Sequence, residues 1–233
     1  LYLDPGMNKS EVQKALHQMV SQSGLRDSYV AMVCSRGRPK IPGSRDPRDC
    51  ENHFFAWCVP YVHVIKPEII DQGATAWISQ NVYRIPEESV NPRVKNYHWG
   101  DFTQGIFEAK DNKYETVILL DFDGNVTEGP GFNVFAIKDG VLITPDRGVL
   151  AGVSRKTVLE IADHLGIVAS IRPLSVDELL AADEVFLSSS GGGVIPIVRV
   201  NETIYGNGVK GPISVRLNET YWQWTTSEKY RDP

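Results

Sequence analysis

The chain has few features that would tie it to a membrane, to nucleic acid or to a secretory compartment. No apolar run reaches the length of about 18 residues that a membrane-spanning helix needs. The net charge is -5, which gives no general attraction to nucleic acid or to an anionic membrane. The first residues lack the basic start and the apolar core of a secretory signal. We therefore expect a cytoplasmic protein that binds neither nucleic acid nor membrane.

Cysteine and histidine are scarce, which leaves little material for a disulfide framework or a metal centre. The sequence has three cysteines and five histidines, and neither type recurs at the spacing of metal ligands. We predict reduced thiols and no metal site. The sequence also lacks the Gly-x-Ser-x-Gly elbow of Ser-His-Asp hydrolases and the early Gly-x-Gly-x-x-Gly of dinucleotide-binding domains.

What the sequence does contain is a lysine and a glutamate in settings that suit an aldehyde cofactor. Lys95 is flanked by Val94, Tyr97 and Trp99, which would remove water from its ammonium group and lower its pKa. Glu128 precedes a short glycine-rich stretch, where backbone can approach a ring closely. A lysine can form a Schiff base with pyridoxal phosphate, and a carboxylate can keep the pyridine nitrogen protonated. Taken singly, a lysine is usually a solvated surface charge, and a glutamate before Gly-Pro-Gly is usually a turn residue.

Two segments suit a phosphate group. Residues 152–154 begin a predicted helix, whose first N–H groups and dipole favour an anion. Residues 188–193 are three serines followed by three glycines, which offer hydroxyl groups and a flexible backbone. Each segment also fits ordinary helix capping and turn formation, and we predict Ser154 as the N-cap.

Hydrophobic periodicity predicts more strands than helices, without the strict alternation of a doubly wound parallel sheet. This pattern favours a mixed α+β protein. We place a domain boundary at Lys66-Pro67, giving a small domain over 1–65 and a larger one over 66–233. Strands are predicted at 29–34, 52–65, 75–83, 116–122, 132–137, 141–144, 167–171 and 184–187, helices at 11–23, 99–111, 154–165, 176–181 and 213–228, and a loop at 36–49.

As a linked series, four segments resemble the class IV (fold type IV) pyridoxal-phosphate-dependent aminotransferases, and most of all the (R)-selective amine transaminases. They are residues 94–101, 127–133, 144–156 and 183–186. The resemblance implies two mixed α/β domains with the cofactor cleft between them, and a homodimer.

The resemblance implies transamination through a Schiff base on Lys95. The amino group would move from an amine or amino acid, of the (R)-amine or D-amino acid type, to a keto acid such as pyruvate. Three alternatives stay open: a lyase of the aminodeoxychorismate lyase type, a branched-chain L-amino acid aminotransferase, and an inactive truncated protein.

The resemblance also implies roles for individual residues. Lys95 would carry the cofactor and move the proton, Glu128 would face the pyridine nitrogen, and Leu150 would pack on the ring. The phosphate would be bound by Val153, Ser154, Ser189 and Ser190. The substrate would be contacted by Tyr29, Arg45, Trp99, Gly131 and Phe132.

Two departures from that family concern arginines. Family members carry further residues at the N-terminus, including an arginine that binds phosphate and has no counterpart here; we therefore expect a fragment or a processed chain. The arginine that meets the substrate carboxylate would align near Pro42. Arg38 or Arg45 is expected to replace it.

Overall fold

The computed structural model describes residues 1–228 and divides the chain into two compact units, Leu1–Val62 and His63–Pro233. The division falls three residues before the boundary predicted from sequence, and the last five residues of the predicted second domain lie outside the described part. That the units are separate domains stays a prediction. Within residues 1–228, no helix is long and apolar enough to cross a membrane.

The first unit is a helix and a two-stranded antiparallel sheet. Helix α1 (Lys9–Ser23) begins with a capping box, in which the Asn8 side chain accepts from the Glu11 N–H and the Glu11 side chain accepts from the Asn8 N–H. Strands β1 (Ser28–Pro39) and β2 (Cys50–Pro60) pair along most of their length.

The prediction of a loop over 36–49 is wrong at its start, because β1 continues to Pro39 across a bulge between Ser35 and Arg38. Gly37 occupies the bulge at φ +78°, and a Cβ there would lie 1.6 Å from the Glu51 carbonyl oxygen. Only glycine fits such a position, so the bulge depends on this residue.

Over its described residues, 63–228, the second unit is a nine-stranded mixed sheet with helices packed on it. The strands are β3 (Ala74–Tyr83), β4 (Thr116–Leu120), β5 (Glu128–Gly129), β6 (Phe132–Lys138), β7 (Val141–Thr144), β8 (Ala169–Ile171), β9 (Glu184–Ser189), β10 (Gly193–Val200) and β11 (Thr203–Ile204), and the helices are α2 (Pro67–Gln72), α3 (Gly100–Asp111), α4 (Val153–His164), α5 (Val176–Leu180) and α6 (Pro212–Thr225). The strands follow the order β4-β3-β10-β9-β6-β7-β8, with β11 beside β10 and β5 beside β6. The predicted mixed α+β class is confirmed.

The main element that the sequence analysis missed is β10, which lies between β9 and β3. Its Pro196 argues against a central strand, because proline cannot donate to the ladder. The structure resolves the conflict, since β10 pairs with β3 only from Ile197 onward. Pro196 therefore pairs with β9 alone, opposite Phe186. The short elements β5, β11 and α2 were not predicted either.

Alternate residues of β6 point to opposite sides of the sheet and so belong to different cores. Phe132, Val134 and Ala136 lie in one cluster, and Phe135 and Ile137 lie in the other, beneath α4 and α6. A third cluster packs α3 on β3 and β4. The sheet is therefore buried on both faces.

Replacing Phe186 with alanine should lower the free energy of unfolding by about 3–5 kcal/mol. The Phe186 ring stacks on Phe135 with centroids 4.8 Å apart, and neither side chain is exposed to solvent. Urea denaturation followed by circular dichroism measures the change.

The control is Phe107→Ala, because Phe107 lies on α3 with 67% of its surface exposed. We expect that variant to change the unfolding free energy by less than about 0.5 kcal/mol. Equal losses in the two variants would show that the Phe135–Phe186 stack is not part of the stabilising core.

Candidate active site

Glu128 lies in a short strand at the point where three segments of the second unit meet. It opens β5, opposite Asn133 of β6. Only 5% of the residue is exposed. Its Oε2 accepts from the Leu150 N–H at 2.8 Å and from Asn133 Nδ2 at 3.3 Å, and its Oε1 accepts from Arg84 at 3.2 Å. Both oxygens are thus held by donors from different elements.

The protonation of Glu128 reflects a balance between burial and these donors. Burial raises the pKa of the Glu128 carboxyl to about 7, while the Leu150 N–H and the positive charges of Arg84 and Lys95 act to lower it. The carboxyl group therefore titrates near neutral pH in the chain alone. An additional positive charge beside it would favour the ionised form.

Lys95 lies in an irregular segment before α3, close enough to Glu128 for its charge to act on that carboxyl. The Asn96 side chain shapes the segment by donating to the Val94 carbonyl oxygen at 2.8 Å and accepting from the His98 N–H at 2.9 Å. The prediction that aromatic neighbours shield the ammonium group is wrong for this chain by itself. Lys95 is exposed, as are Tyr97 (72%) and Trp99 (39%), because the segment runs along the surface.

The two segments predicted to bind phosphate are brought together. Ser154 is the second residue of α4, and its Oγ lies 3.4 Å from the Oγ of Ser190, which directly follows β9. The N-cap of α4 is Gly152, so the prediction of Ser154 in that role is wrong. Ser154 lies inside the first turn, and its hydroxyl faces Ser190 and Tyr221 instead. The first N–H groups of α4, including that of Val153, have no acceptor within the helix and can bind an anion.

Ser189 and Gly131 are also neighbours. The Ser189 hydroxyl donates to the Gly131 carbonyl oxygen at 2.8 Å and accepts from the Gly191 N–H at 3.1 Å, so it orders the turn after β9. Gly131 lies beside the Trp99 ring, where an added Cβ would be 3.9 Å away. The Phe132 side chain belongs to the core, with 5% exposed, so its role at the substrate stays a prediction.

Tyr29 and Arg45, the remaining residues predicted at the substrate, belong to the first unit. Tyr29 is half-buried on β1, and Arg45 is exposed in the connection between β1 and β2. Arg38 is exposed at the end of β1. Their roles toward a substrate stay predictions.

Four residues of the site were missed by the sequence analysis: Arg84, Asp101, Asn133 and Tyr221. Asn133 lies within one of the recognised segments, and its amide joins Glu128 to the Leu150 carbonyl oxygen at 2.9 Å. Arg84 and Asp101 form an ion pair at 2.6 Å. No local pattern marks Arg84, since an arginine after a strand usually faces solvent. The only indication of Arg84 in the sequence was indirect: if Glu128 is buried, it needs a positively charged partner.

If Ser154 and Ser190 bind the phosphate of pyridoxal phosphate, as the resemblance implies, replacing Tyr221 with phenylalanine should weaken that binding by about tenfold, the effect of one hydrogen bond to a charged network. Tyr221 OH lies 3.0 Å from Ser154 Oγ. If Tyr221 donates, the single Ser154 proton is free to point toward an anion near Ser190. Equilibrium dialysis or fluorescence quenching measures the dissociation constant.

Tyr205→Phe is the matched control, because Tyr205 is also a buried tyrosine with one hydrogen bond, to the Leu179 carbonyl oxygen at 2.9 Å. It lies in the opposite core cluster and should leave cofactor binding unchanged. An unchanged dissociation constant in Tyr221→Phe would contradict the proposed orientation of Ser154.

Comparison with known proteins identifies the family. The sequence profile described as amino-transferase class IV matches residues 1–200. The branched-chain-amino-acid aminotransferase of Salmonella typhimurium is 27% identical over 94% of this chain and 71% of its own length.

Solved structures agree with the sequence comparison. The branched-chain aminotransferase of Thermoproteus uzoniensis, solved with norvaline, is 28% identical with a TM-score of 0.88, over 98% of this chain and 75% of that one. The enzyme from Thermobaculum terrenum, solved in its pyridoxal phosphate form, is 27% identical with a TM-score of 0.84, over 97% and 74% of the two chains. These likenesses confirm the predicted fold type IV. The chain belongs to the class IV aminotransferase family and is a pyridoxal-phosphate-dependent aminotransferase.

Proposed function

We propose that Lys95 carries the cofactor, that Glu128 faces its pyridine nitrogen, and that Leu150 packs on its ring. In the same proposal, Val153, Ser154, Ser189 and Ser190 bind its phosphate, and Ser189 turns its hydroxyl proton from the Gly131 carbonyl oxygen toward that phosphate. The observation that carries the proposal is the burial of Glu128 between Leu150, Asn133 and Arg84, with the positive charge of Lys95 acting on it.

The chemistry of the donor set fits pyridoxal phosphate. At one end of the donor set, the buried Glu128 carboxylate favours a cationic partner. Leu150, which donates to Glu128, lies three residues before Val153, the first residue of α4, at the other end of the set. That end offers helix N–H groups and the Ser154 and Ser190 hydroxyls, which favour a phosphate dianion. When bound, the cofactor supplies an aldehyde that reacts with amines and a ring that stabilises negative charge at the adjacent carbon.

Lys95 is suited to both of its proposed tasks. It is exposed, so its amine is accessible to an incoming aldehyde and to a substrate carbon. The Asn96 hydrogen bonds order the backbone on both sides of it, which limits the positions that the side chain can reach. In its neutral form the Lys95 amine would accept the proton from the substrate and return it at the neighbouring position.

We propose an (R)-amine or a D-amino acid as the amino donor and a keto acid such as pyruvate as the acceptor. The support is the similarity of residues 94–101, 127–133, 144–156 and 183–186 to (R)-selective amine transaminases. We propose Tyr29, Arg45, Trp99, Gly131 and Phe132 as the substrate contacts. Trp99, Gly131 and Phe132 correspond to positions that line the active site in that family, and Arg45 would replace the arginine that aligns near Pro42.

A branched-chain L-amino acid is the second candidate donor, because the relatives found by comparison carry that activity in their names. A panel of (R)- and (S)-amines with D- and L-amino acids, each tested with pyruvate and 2-oxoglutarate, separates the two. Activity confined to (R)-amines or D-amino acids supports the first candidate. Activity confined to L-leucine, L-isoleucine and L-valine with 2-oxoglutarate overturns it in favour of the second.

A half-reaction distinguishes transamination from the lyase alternative. Mixing the holoenzyme with an amino donor alone should remove the visible absorbance of the cofactor in proportion to the donor consumed. Release of pyruvate from the donor without that loss of absorbance would identify a lyase. Absence of both changes across the whole panel would favour the inactive-protein alternative.

We propose a homodimer, because enzymes of this family complete their sites with loops from a partner subunit. The exposure of Tyr97 and Trp99 beside Lys95 supports a site that another surface covers. Light scattering coupled to size-exclusion chromatography should give twice the chain mass of 26.0 kDa. A single-chain mass in an active holoenzyme would overturn this proposal.

A further inference from the structure

A buried chain of three charges joins α3 to the candidate active site. Arg84 Nη1 lies 2.6 Å from Asp101 Oδ2, and Arg84 Nη2 lies 3.2 Å from Glu128 Oε1. All three side chains are at most 6% exposed. Two carboxylates therefore share one guanidinium group, away from solvent. The proposed function assigns no role to Arg84 or Asp101 themselves.

Arg84 is held in one orientation by its surroundings. Its backbone N–H donates to the Leu120 carbonyl oxygen at 2.8 Å, and its guanidinium lies 4.3 Å from the centroid of the Phe102 ring. Asp101 is itself fixed, because it accepts from the N–H groups of Ile85 at 3.0 Å and Phe102 at 2.8 Å. The direction in which Nη2 points is thus set by β3, β4 and the start of α3.

Within the described residues, Arg84 is the only hydrogen-bond donor to Glu128 Oε1. Oε2 accepts from Leu150 and Asn133, whereas Oε1 accepts from Arg84 Nη2 alone. The other charged groups that act in this region are Lys95, on the segment before α3, and Arg155, on α4. Arg155 is directed elsewhere, since its guanidinium donates to the Pro145 carbonyl oxygen at 2.8 Å.

We infer that Arg84 is a positioning residue that keeps the Glu128 carboxylate ionised and fixes its orientation, so that Glu128 can hold the pyridine nitrogen of the cofactor in its protonated form. The inference rests on the proposed function, in which Glu128 faces that nitrogen. Asp101 orients Arg84 and competes with Glu128 for its charge.

The energetic reason is the cost of burying a carboxylate without a cation. Such a group takes up a proton, since a neutral carboxyl loses far less on leaving water. Burial already raises the pKa of Glu128 to about 7 against the lowering effect of Arg84, so removing Arg84 raises this pKa further. A neutral Glu128 would no longer stabilise a positive charge on the ring nitrogen, whereas an ionised one does.

The test is nitrogen-15 NMR of holoenzyme reconstituted with pyridoxal phosphate labelled at the ring nitrogen, whose chemical shift reports protonation. The pH midpoint for deprotonation of that nitrogen is compared between variants. Arg84→Gln should lower the midpoint by at least about one pH unit, a tenfold change in the protonated-to-unprotonated ratio. Arg84→Lys, which keeps the charge but not the planar fork, should lower it measurably but less.

Asp101→Asn separates this role from a merely structural one. That variant removes the competing carboxylate and keeps an oxygen acceptor, so the midpoint should stay at or above that of the wild-type protein. The matched control is Arg199→Gln, because Arg199 also stacks on an aromatic ring, 4.4 Å from the Tyr114 centroid, and its buried Nε has no acceptor among residues 1–228. It should leave the midpoint unchanged.

The inference is overturned if Arg84→Gln matches the wild-type midpoint, or if Asp101→Asn lowers it as far as Arg84→Gln does. If Arg84→Gln does not fold, Arg84→Lys decides: a lowered midpoint supports the inference and an unchanged one overturns it. A Glu128→Gln arm keeps the two proposals apart. An unchanged nitrogen chemical shift in Glu128→Gln would reject the proposed role of Glu128. A changed shift in Glu128→Gln together with a wild-type midpoint in Arg84→Gln would reject only the inference about Arg84.

Discussion

Replacing Lys95 with alanine should lower the rate of transamination by about 10⁴-fold while leaving the protein folded. The lysine is proposed both to attach the cofactor and to move the substrate proton, so one substitution removes a nucleophile and a general base. Because Lys95 is exposed and belongs to neither core cluster of the sheet as far as residues 1–228 define them, its removal should not change the circular dichroism spectrum. Steady-state kinetics with the preferred donor and pyruvate measures the loss.

Lys110→Ala is the control, since Lys110 is an exposed lysine in the last turn of α3. It should retain full activity. Borohydride reduction of the wild-type holoenzyme followed by peptide mapping should label position 95. A label on another lysine, or more than about a tenth of the wild-type rate in Lys95→Ala, would reject the assignment.

Replacing Glu128 with glutamine should change how the stability of the cofactor-free protein depends on pH. The folded carboxyl has a pKa of about 7, raised from 4.5. Between these values the unfolded chain releases the proton while the folded protein keeps it, so the stability contributed by this group is present at low pH and lost as pH rises. The wild-type protein should therefore lose about 3 kcal/mol relative to Glu128→Gln between pH 4.5 and 7.

Urea denaturation at several pH values measures this difference directly. Glu68→Gln is the control, because Glu68 is exposed on α2 and its substitution should leave the profile parallel to that of the wild type. The prediction fails if the difference between wild type and Glu128→Gln is constant with pH or changes in the opposite direction. Either result would mean that Glu128 is ionised in the folded protein well below neutral pH.

Regular patterns were read correctly where local forces decide the structure. The predicted β7 at 141–144 agrees with the structure residue for residue, because a short hydrophobic run is followed by a proline. The helix predicted at 154–165 is one residue displaced from α4, since its apolar stripe and Gly166 leave little choice. The strand β10 was missed, because the pairing that tolerates Pro196 depends on where β3 begins beside it.

Some residues of the candidate site could likewise be predicted from local sequence, whereas the contacts between them could not. Lys95 and Glu128 stand out in the sequence, because an amine and a carboxylate beside rings and glycines already indicate the chemistry of an aldehyde cofactor. The contact between Ser154 and Ser190 was expected only as two separate anion-binding segments, and Tyr221 was not considered at all. Contacts between such distant residues arise when β9 and α6 pack beside α4.

Composition, periodicity and a few short segments thus determined the fold class, the family and the two residues on which the chemistry is proposed to depend, because each is a local property of the chain. Only the tertiary structure decided that Glu128 is buried, that Lys95 is exposed, and that Arg84 connects Glu128 to Asp101. Burial and charge pairing depend on which distant segments pack together. They set the protonation state of Glu128, which no sequence pattern can reveal.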